Sequence, residues 1–210
     1  MGKKVLLIGG VLVACLLLMT FHWGHSTKSS AAVQSSQKKH YQEISYPTPN
    51  FDKDAVNRVE GVILHHTAEP TVKRSLEVLT STEKKVGTHV VIGTDGTRYI
   101  MCEPEVVTYH AGRSILNGEE GCNYFTIGIE FQGNTLEKPL TQDQIDSAIE
   151  YLLPIIKKYH ISVSNIVTHE MVRNAYKERY PDKKCWGKVD ITQPEYKRFM
   201  QALRAAMYKK

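Results

Sequence analysis

The sequence predicts an α/β fold with a single mixed central β-sheet flanked by helices. Two observations predict it. Short runs rich in β-branched residues recur between positions 61 and 168, each bounded by turn residues, as buried strands require. Segments with apolar residues at helical spacing alternate with these runs, and no internal repeat interrupts the order. The 210 residues are enough for one such domain with a hydrophobic core, plus an appendage.

The appendage comes first. Lys3 and Lys4 precede an apolar run over residues 5–21, broken only by Gly9, Gly10 and Thr20. Positive charge followed by an apolar stretch is the grammar of an export signal, so residues 1–25 read as a leader. Three outcomes compete for it. Leu12, Val13, Ala14 and Cys15 resemble a lipoprotein signal with an acylated Cys15, although residues 16–21 stay apolar where lipoproteins turn polar. An uncleaved membrane anchor would use all of residues 5–21, the short limit for a bilayer span. Cleavage of a signal peptide near Ser26 is the third. The expectation is an exported protein of the periplasm or cell envelope, held by a membrane tether. Ser, Thr, Gln, Lys and Ala dominate residues 26–39 without apolar periodicity, so 26–50 reads as a flexible linker. Pro47 and Pro49 mark the approach to a domain over 51–210.

Within that domain the first strand is Gly61, Val62, Ile63, Leu64, His65, His66, ending before Thr67 and Ala68. Alternation along a strand sends His65 and His66 to opposite faces. Val72, Leu76, Leu79 and Val86 predict a helix over 71–86. Residues 89–93 form a strand, Asp95 and Gly96 centre a tight turn, and residues 98–102 pair back. A short strand over 106–109 and a loop rich in Gly and Asn over 111–123 lead to a strand over 126–131. There Ile127, Ile129 and Phe131 alternate with Thr126, Gly128 and Glu130, so Glu130 faces away from the large apolar side chains. Residues 141–160 are the clearest helix: Thr141 and Gln144 make a capping box, and Ile145, Ile149, Leu152, Ile156 and Tyr159 build one apolar face. Pro154 should kink or break it. Residues 165–168 form a strand that delivers His169, and a last helix starts at Thr192, with Glu195 completing a second capping box.

Composition excludes some functions. Charged residues make up 23% of the chain and hydrophobic residues 41%, a globular balance that argues against a disordered protein. The formal charge is +5, and it falls to +3 without Lys3 and Lys4. That is too mild to imply nucleic acid, and no basic stripe is interleaved with aromatics. Of the four cysteines, Cys15 belongs to the leader. Cys102 ends a strand and Cys122 precedes another across a loop, so the pattern allows a disulfide between them. Cys185 is then the leftover thiol, beside Lys183 and Lys184, whose charge favours the thiolate that a metal takes. Two histidines and this cysteine would make a three-ligand zinc site with a fourth position open to water. Spacing alone does not select them, because no compact HExxH or CxxC signature is present and nine histidines invite false triads.

Four segments in order resemble one family: Val62 to Ala68; Tyr109, His110, Ala111, Gly112, Arg113, Ser114; Tyr124 to Phe131; and Val167, Thr168, His169. They are similar to the successive motifs of the type 2 N-acetylmuramoyl-L-alanine amidases, a superfamily that includes the animal peptidoglycan-recognition proteins. The resemblance covers about residues 55 to 205. It implies the amidase/peptidoglycan-recognition fold and a zinc hydrolase cutting the amide between the lactyl group of N-acetylmuramic acid and L-alanine. Peptidoglycan or soluble muropeptides would be the partner; the alternative is a non-catalytic binding module of the same fold. Position by position, it makes His65, His169 and Cys185 the Zn2+ ligands, the third place being held by Cys or Asp across the family. Lys183, two residues before that ligand, matches a lysine that stabilises the oxyanion, and Glu130 matches the general base. His110 falls in a substrate-cleft motif. Thr88 stands where many recognition proteins carry a tyrosine, and with Trp186 it is a candidate for contacting substrate. The sequence departs from the family after Cys185, where Trp186 and Gly187 replace the common Pro-Gly. The fifteen residues between His169 and Cys185 are also a wider gap than usual. His66 is expected to support packing rather than bind metal.

Overall fold

Residues 40–185 and 190–209 are described by a computed structural model. In chain order they form strands β1 (Glu43–Ser45), β2 (Phe51–Val56) and β3 (Gly61–His66), then helix α1 (Val72–Thr80). Strands β4 (Val90–Ile92), β5 (Arg98–Ile100), β6 (Val106–Thr108), β7 (Ile115–Leu116), β8 (Glu119–Glu120) and β9 (Thr126–Phe131) follow. Helix α2 (Gln142–Tyr159), strand β10 (Ile166–Thr168) and helices α3 (His169–Arg179) and α4 (Gln193–Tyr208) complete the order. The main sheet runs β1-β5-β4-β9-β3-β10. Only β4 and β5 pair antiparallel in it, so the sheet is mixed, as predicted. Strands β2 and β6 form a separate ribbon, as do β7 and β8.

Every residue of β3 and β9 is buried, because parallel central strands are covered on both faces. Val62, Leu64, Ile127, Ile129 and Phe131 pack against Ile145, Ile149 and Leu152 of α2 and Phe199 and Leu203 of α4. On the other face Ile63 and Val167 meet Phe125 and Val172 of α3, while Val91 packs with Leu76 and Leu79 of α1. Each large side chain buried this way contributes about 1.5–3 kcal/mol. Strands β3, β9, β4 and β10 run the same way, so their C-terminal ends open at one edge, the usual place for a site on such a sheet.

Several elements differ from expectation, each for a tertiary reason. Strand β1 lies inside the stretch read as linker. It pairs parallel with β5, and the buried Arg98 binds it to the body through Glu43 (3.0 Å), the Tyr41 carbonyl (3.3 Å) and the Ser147 carbonyl of α2 (3.1 Å). Helix α1 stops at Thr80 rather than near Val86, because the Asn50 side chain donates to the carbonyls of Leu79, Ser81 and Val86 and folds that segment into a loop. Helix α2 keeps the predicted capping box and runs through Pro154 unbroken. Pro154 lies on its exposed side, where water can take the carbonyl that the ring leaves unbonded. The second capping box does not form: Glu195 Oε2 instead accepts from the Leu140 N–H and from Arg198, both at 2.9 Å. Helix α3 was not foreseen. Only Val172 of it is fully buried, so it carries little apolar periodicity, and the Thr168 side chain caps its start through the Met171 N–H.

Cys102 and Cys122 are free thiols, which corrects the expected disulfide. Cys102 follows β5 and Cys122 precedes β9, with β4 between these strands. Two strand spacings come to about 10 Å, beyond the ~7 Å over which a disulfide can reach. Burial pushes each thiol up to about 11, which keeps both protonated at neutral pH. Among the described residues no helix is long and apolar enough to cross a membrane. The leader, its apolar run and Cys15 lie outside the described residues, as does Trp186.

Candidate metal centre

The sheet edge gathers the site. Strand β3 ends in His65 and His66, and Glu130 stands beside His65 in the β3–β9 register. Parallel partners in register point to the same face, so Glu130 and His65 share the face covered by α1 and α3. Strand β10 passes straight into α3, whose first residue is His169. Asp190 closes the group from the segment before α4. His65, His169 and Asp190 each present a donor atom within 4.8 Å of the others, an arrangement that could hold a metal ion.

The proton inventory shows why a cation suits this spot. His110 Nε2 lies 3.3 Å from the Thr126 carbonyl, an obligate acceptor, so Nε2 carries the hydrogen and Nδ1 a lone pair. That lone pair faces His65 Nε2 at 3.2 Å, so His65 holds its hydrogen on Nε2. The His65 Nδ1 lone pair is then aimed at Asp190 Oδ2, 3.3 Å away. His169 repeats the pattern: Nε2 donates to the Ala111 carbonyl at 3.2 Å, and Nδ1 faces the same Asp190 Oδ2 at 2.7 Å. Two imidazole nitrogens and a carboxylate oxygen thus converge on one point, where a shared cation would be held by all three. Donors at a tetrahedral zinc with bonds of ~2.0–2.1 Å stand about 3.3 Å apart, close to these separations. The donor set therefore fits zinc, and the outward ring nitrogens already hold the partners that fix ligand orientation.

His110 owes its place to a missing side chain. A Cβ on Gly128 would lie 2.7 Å from His110 Cγ and 2.9 Å from Thr88 Oγ1, so only glycine lets the imidazole lie against β9. Burial, and then the neighbouring His65 and His89, hold the His110 pKa well below the usual histidine value. His66 points to the opposite face, yet it reaches Asp190 too. Its Nδ1 accepts the Thr135 N–H (3.1 Å) and lies 2.8 Å from the Thr135 hydroxyl, and its Nε2 is 3.7 Å from Asp190 Oδ1. Asp190 can meet histidines from both faces only by sitting beyond the end of β3. The next residue, Ile191, is fully buried at φ 53°, a left-handed conformation that costs a β-branched residue about 1–3 kcal/mol. The Thr192 N–H bonded to Thr135 Oγ1 at 3.0 Å helps hold that turn.

A cavity of about 830 Å3 opens over the group, lined by His65, His110, Glu130, His169 and Asp190 on one side and by Val78, Leu79 and Val86 on the other. Four of the residues expected at the site meet here: His65, His169, Glu130 and His110. Cys185 does not join the ligand group; its Sγ lies 3.9 Å from the Arg113 carbonyl and it lines a neighbouring cavity. Lys183 is exposed and Thr88 fully buried, and neither lines these two cavities. Asp190 was missed, although a signal for it exists. Lys188, Val189, Asp190 repeats the lysine-any-ligand spacing of Lys183, Lys184, Cys185, so the same pattern occurs twice.

A neighbouring histidine makes a pH prediction. His89 Nδ1 accepts the Gly128 N–H at 2.9 Å and its Nε2 donates to the Val106 carbonyl at 2.9 Å, a pairing that only the neutral ring can make. Burial lowers its pKa to about 4, partly opposed by the Val106 carbonyl. The folded pKa is depressed, so the unfolded chain binds the proton more readily. The stability His89 contributes is therefore present above about pH 6.5 and is lost as pH falls towards 4, to the extent of about 3 kcal/mol. Urea midpoints measured from pH 7 to pH 4.5 should fall, and fall less steeply in His89→Gln. Parallel curves for the two proteins would remove His89 as the cause.

The model of the family described as N-acetylmuramoyl-L-alanine amidase matches residues 55–188. The N-acetylmuramoyl-L-alanine amidase AmiD of Escherichia coli is 28% identical over 131 residues, 55% of this chain and 46% of that protein. The 1,6-anhydro-N-acetylmuramyl-L-alanine amidase AmpD of Haemophilus influenzae is 37% identical over 90 residues, 41% of this chain and 47% of that protein. The chain thus spans about half the length of these curated relatives. Among solved structures, a selenomethionine derivative of AmpD has a TM-score of 0.57 at 19% identity, covering 76% of this chain and 93% of that one. The E. coli AmiD complex with anhydro-N-acetylmuramic acid-L-Ala-D-gamma-Glu-L-Lys has a TM-score of 0.54 at 22% identity, covering 71% and 59%. At such identities the structural likeness establishes the fold.

Proposed function

Because the chain belongs to the N-acetylmuramoyl-L-alanine amidase family, we propose that it hydrolyses the amide between the lactyl group of N-acetylmuramic acid and L-alanine in peptidoglycan stem peptides. The observation that carries this reading is the convergence of His65 Nδ1, His169 Nδ1 and Asp190 Oδ2 at the floor of a cavity that Glu130 also lines. Three protein ligands are the pattern of a catalytic rather than a structural zinc. Zinc bound there would supply a water of lowered pKa and polarise the scissile carbonyl.

The rest falls to the chain's own residues. Glu130 takes the proton of the attacking water at a carboxylate oxygen and returns it to the leaving nitrogen of alanine. His110 and the Ala111 carbonyl hold the two ligand histidines in the required tautomers, and His66 orients Asp190 from behind. With Asp190 as third ligand, the lysine two residues before it becomes Lys188 in place of Lys183, and Lys188 is the residue we assign to the developing oxyanion. Lys188 lies outside the described residues. The charged-then-apolar leader supports an exported protein working at the cell envelope.

The test is to incubate the purified full-length protein with muropeptides, with excess zinc or with a chelator. Free stem peptide should appear only with zinc. Binding of muropeptide without any release would instead identify a recognition module.

A further inference from the structure

The cavity wall facing the ligand group is built from the end of α1 and the loop that follows: Val78, Leu79, Lys84, Val86 and Gly87. At the end of α1, Ser81 is extended (φ −71°, ψ 116°) instead of adopting the left-handed turn that lets a helix satisfy its own last carbonyls. Thr48 and Asn50 supply the donors from outside. Thr48 Oγ1 donates to the Leu79 carbonyl at 2.6 Å. Asn50 Nδ2 lies 3.1 Å from the same oxygen, 3.0 Å from the Ser81 carbonyl and 2.7 Å from the Val86 carbonyl. Both side chains are only 4% exposed. One side-chain amide thus spans the two ends of the 81–86 loop. Gly87 closes against it: a Cβ there would lie 2.6 Å from the Asn50 carbonyl oxygen, so only glycine permits the approach. Tyr109 completes the clasp, its N–H meeting the Asn50 carbonyl at 3.4 Å and its carbonyl accepting from the Gly87 N–H at 3.1 Å.

Asn50 is itself seated on the sheet. Strand β1 pairs with β5, and beyond it the Tyr46 N–H reaches the Ile100 carbonyl at 2.8 Å and the Thr48 N–H the Met101 carbonyl at 3.1 Å. The Asn50 N–H then turns back onto Thr48 Oγ1 at 3.2 Å. The sheet edge therefore fixes this strap, and the loop leans on the strap. We propose that Asn50 is a positioning residue for substrate binding: its amide sets where the cavity wall stands over the ligand group, without touching substrate itself. The identity of that substrate rests on the amidase reading; the coupling of Asn50 to the wall does not. Residues 43–50 then support the cleft instead of forming a passive linker. The metal donors and Glu130 lie on β3, β9, α3 and the segment before α4, so loosening the wall weakens binding and leaves the chemistry intact.

The test uses the zinc-loaded full-length protein. Asn50→Leu keeps the branched shape and removes the donors. Hydrogen exchange read by mass spectrometry should quicken about tenfold or more for the amides of residues 81–88, while those of β3 and β9 keep their protection. With muropeptide, KM should rise about tenfold and kcat stay within about twofold, at unchanged zinc content. Asn50→Gln, which keeps the donors on a longer arm, should recover part of both effects. Thr48→Val, the same shape without the hydroxyl, should act in the same direction by a smaller factor, and it carries the test should Asn50→Leu fail to fold. Exchange that is unchanged in the loop, or that rises equally in β3 and β9, overturns the positioning role. So does a loosened loop with KM unaltered, or a fall in kcat that outweighs the change in KM. Wild-type protein that binds muropeptide without releasing stem peptide removes only the hydrolase reading. Muropeptide affinity by calorimetry then takes the place of KM, and Asn50→Leu should still weaken it about tenfold.

Discussion

Asp190→Ala is expected to lose bound zinc after dialysis against a zinc buffer and to lose at least ~10³-fold in turnover, while Cys185→Ser retains wild-type zinc content. The size of the effect follows from the donor count. A catalytic zinc site has three protein ligands, and removing one leaves two imidazoles and no charge compensation in a pocket where Asp190 and His65 are almost wholly buried. Substitutions that only reorient a ligand typically cost 10- to 100-fold in metal affinity, so loss of the ligand itself must exceed that. Cys185 is the control because its sulfur lies against the Arg113 carbonyl and outside the group of converging donors. Zinc analysis of the two purified variants decides the matter. Full occupancy in Asp190→Ala with an empty Cys185→Ser would return the third ligand to the cysteine.

Glu130→Gln should fold, keep its zinc and lose about 10²–10⁴ in kcat, the range that general acid–base catalysis supplies. The amide is isosteric, so the β3–β9 pairing beside His65 is undisturbed, but it cannot take a proton from water or return one to the leaving amine. KM should move little. Turnover within a few-fold of wild type would assign proton transfer to another group.

The sequence made much of the sheet legible. Strands β3, β4, β5, β6, β9 and β10 all fall within the runs read from β-branched alternation, and the Thr141–Gln144 capping box forms as written. Those signals are local: a buried parallel strand must be apolar throughout, and a helix start needs an acceptor for its orphan N–H groups. Strand β1 and helix α3 escaped notice because neither holds itself together. The first is held by Arg98, more than fifty residues downstream, and the second buries a single side chain completely.

The site divides in the same way. The amino-acid sequence by itself indicated that His65 and His169 would stand at the ends of strands and that Glu130 would face away from the large apolar side chains, because alternation along a strand decides the face. It could not choose between Cys185 and Asp190, since the two segments carry the same lysine-any-ligand spacing. In the structure Asp190, and not Cys185, stands with His65 and His169. The turn at Ile191, the Thr135 latch on His66 and Thr192, and the packing of α4 against α2 carry Asp190 over the sheet edge, where the two Nδ1 lone pairs converge. A ligand's identity is a property of where lone pairs meet, and contacts between residues far apart in the chain decide that.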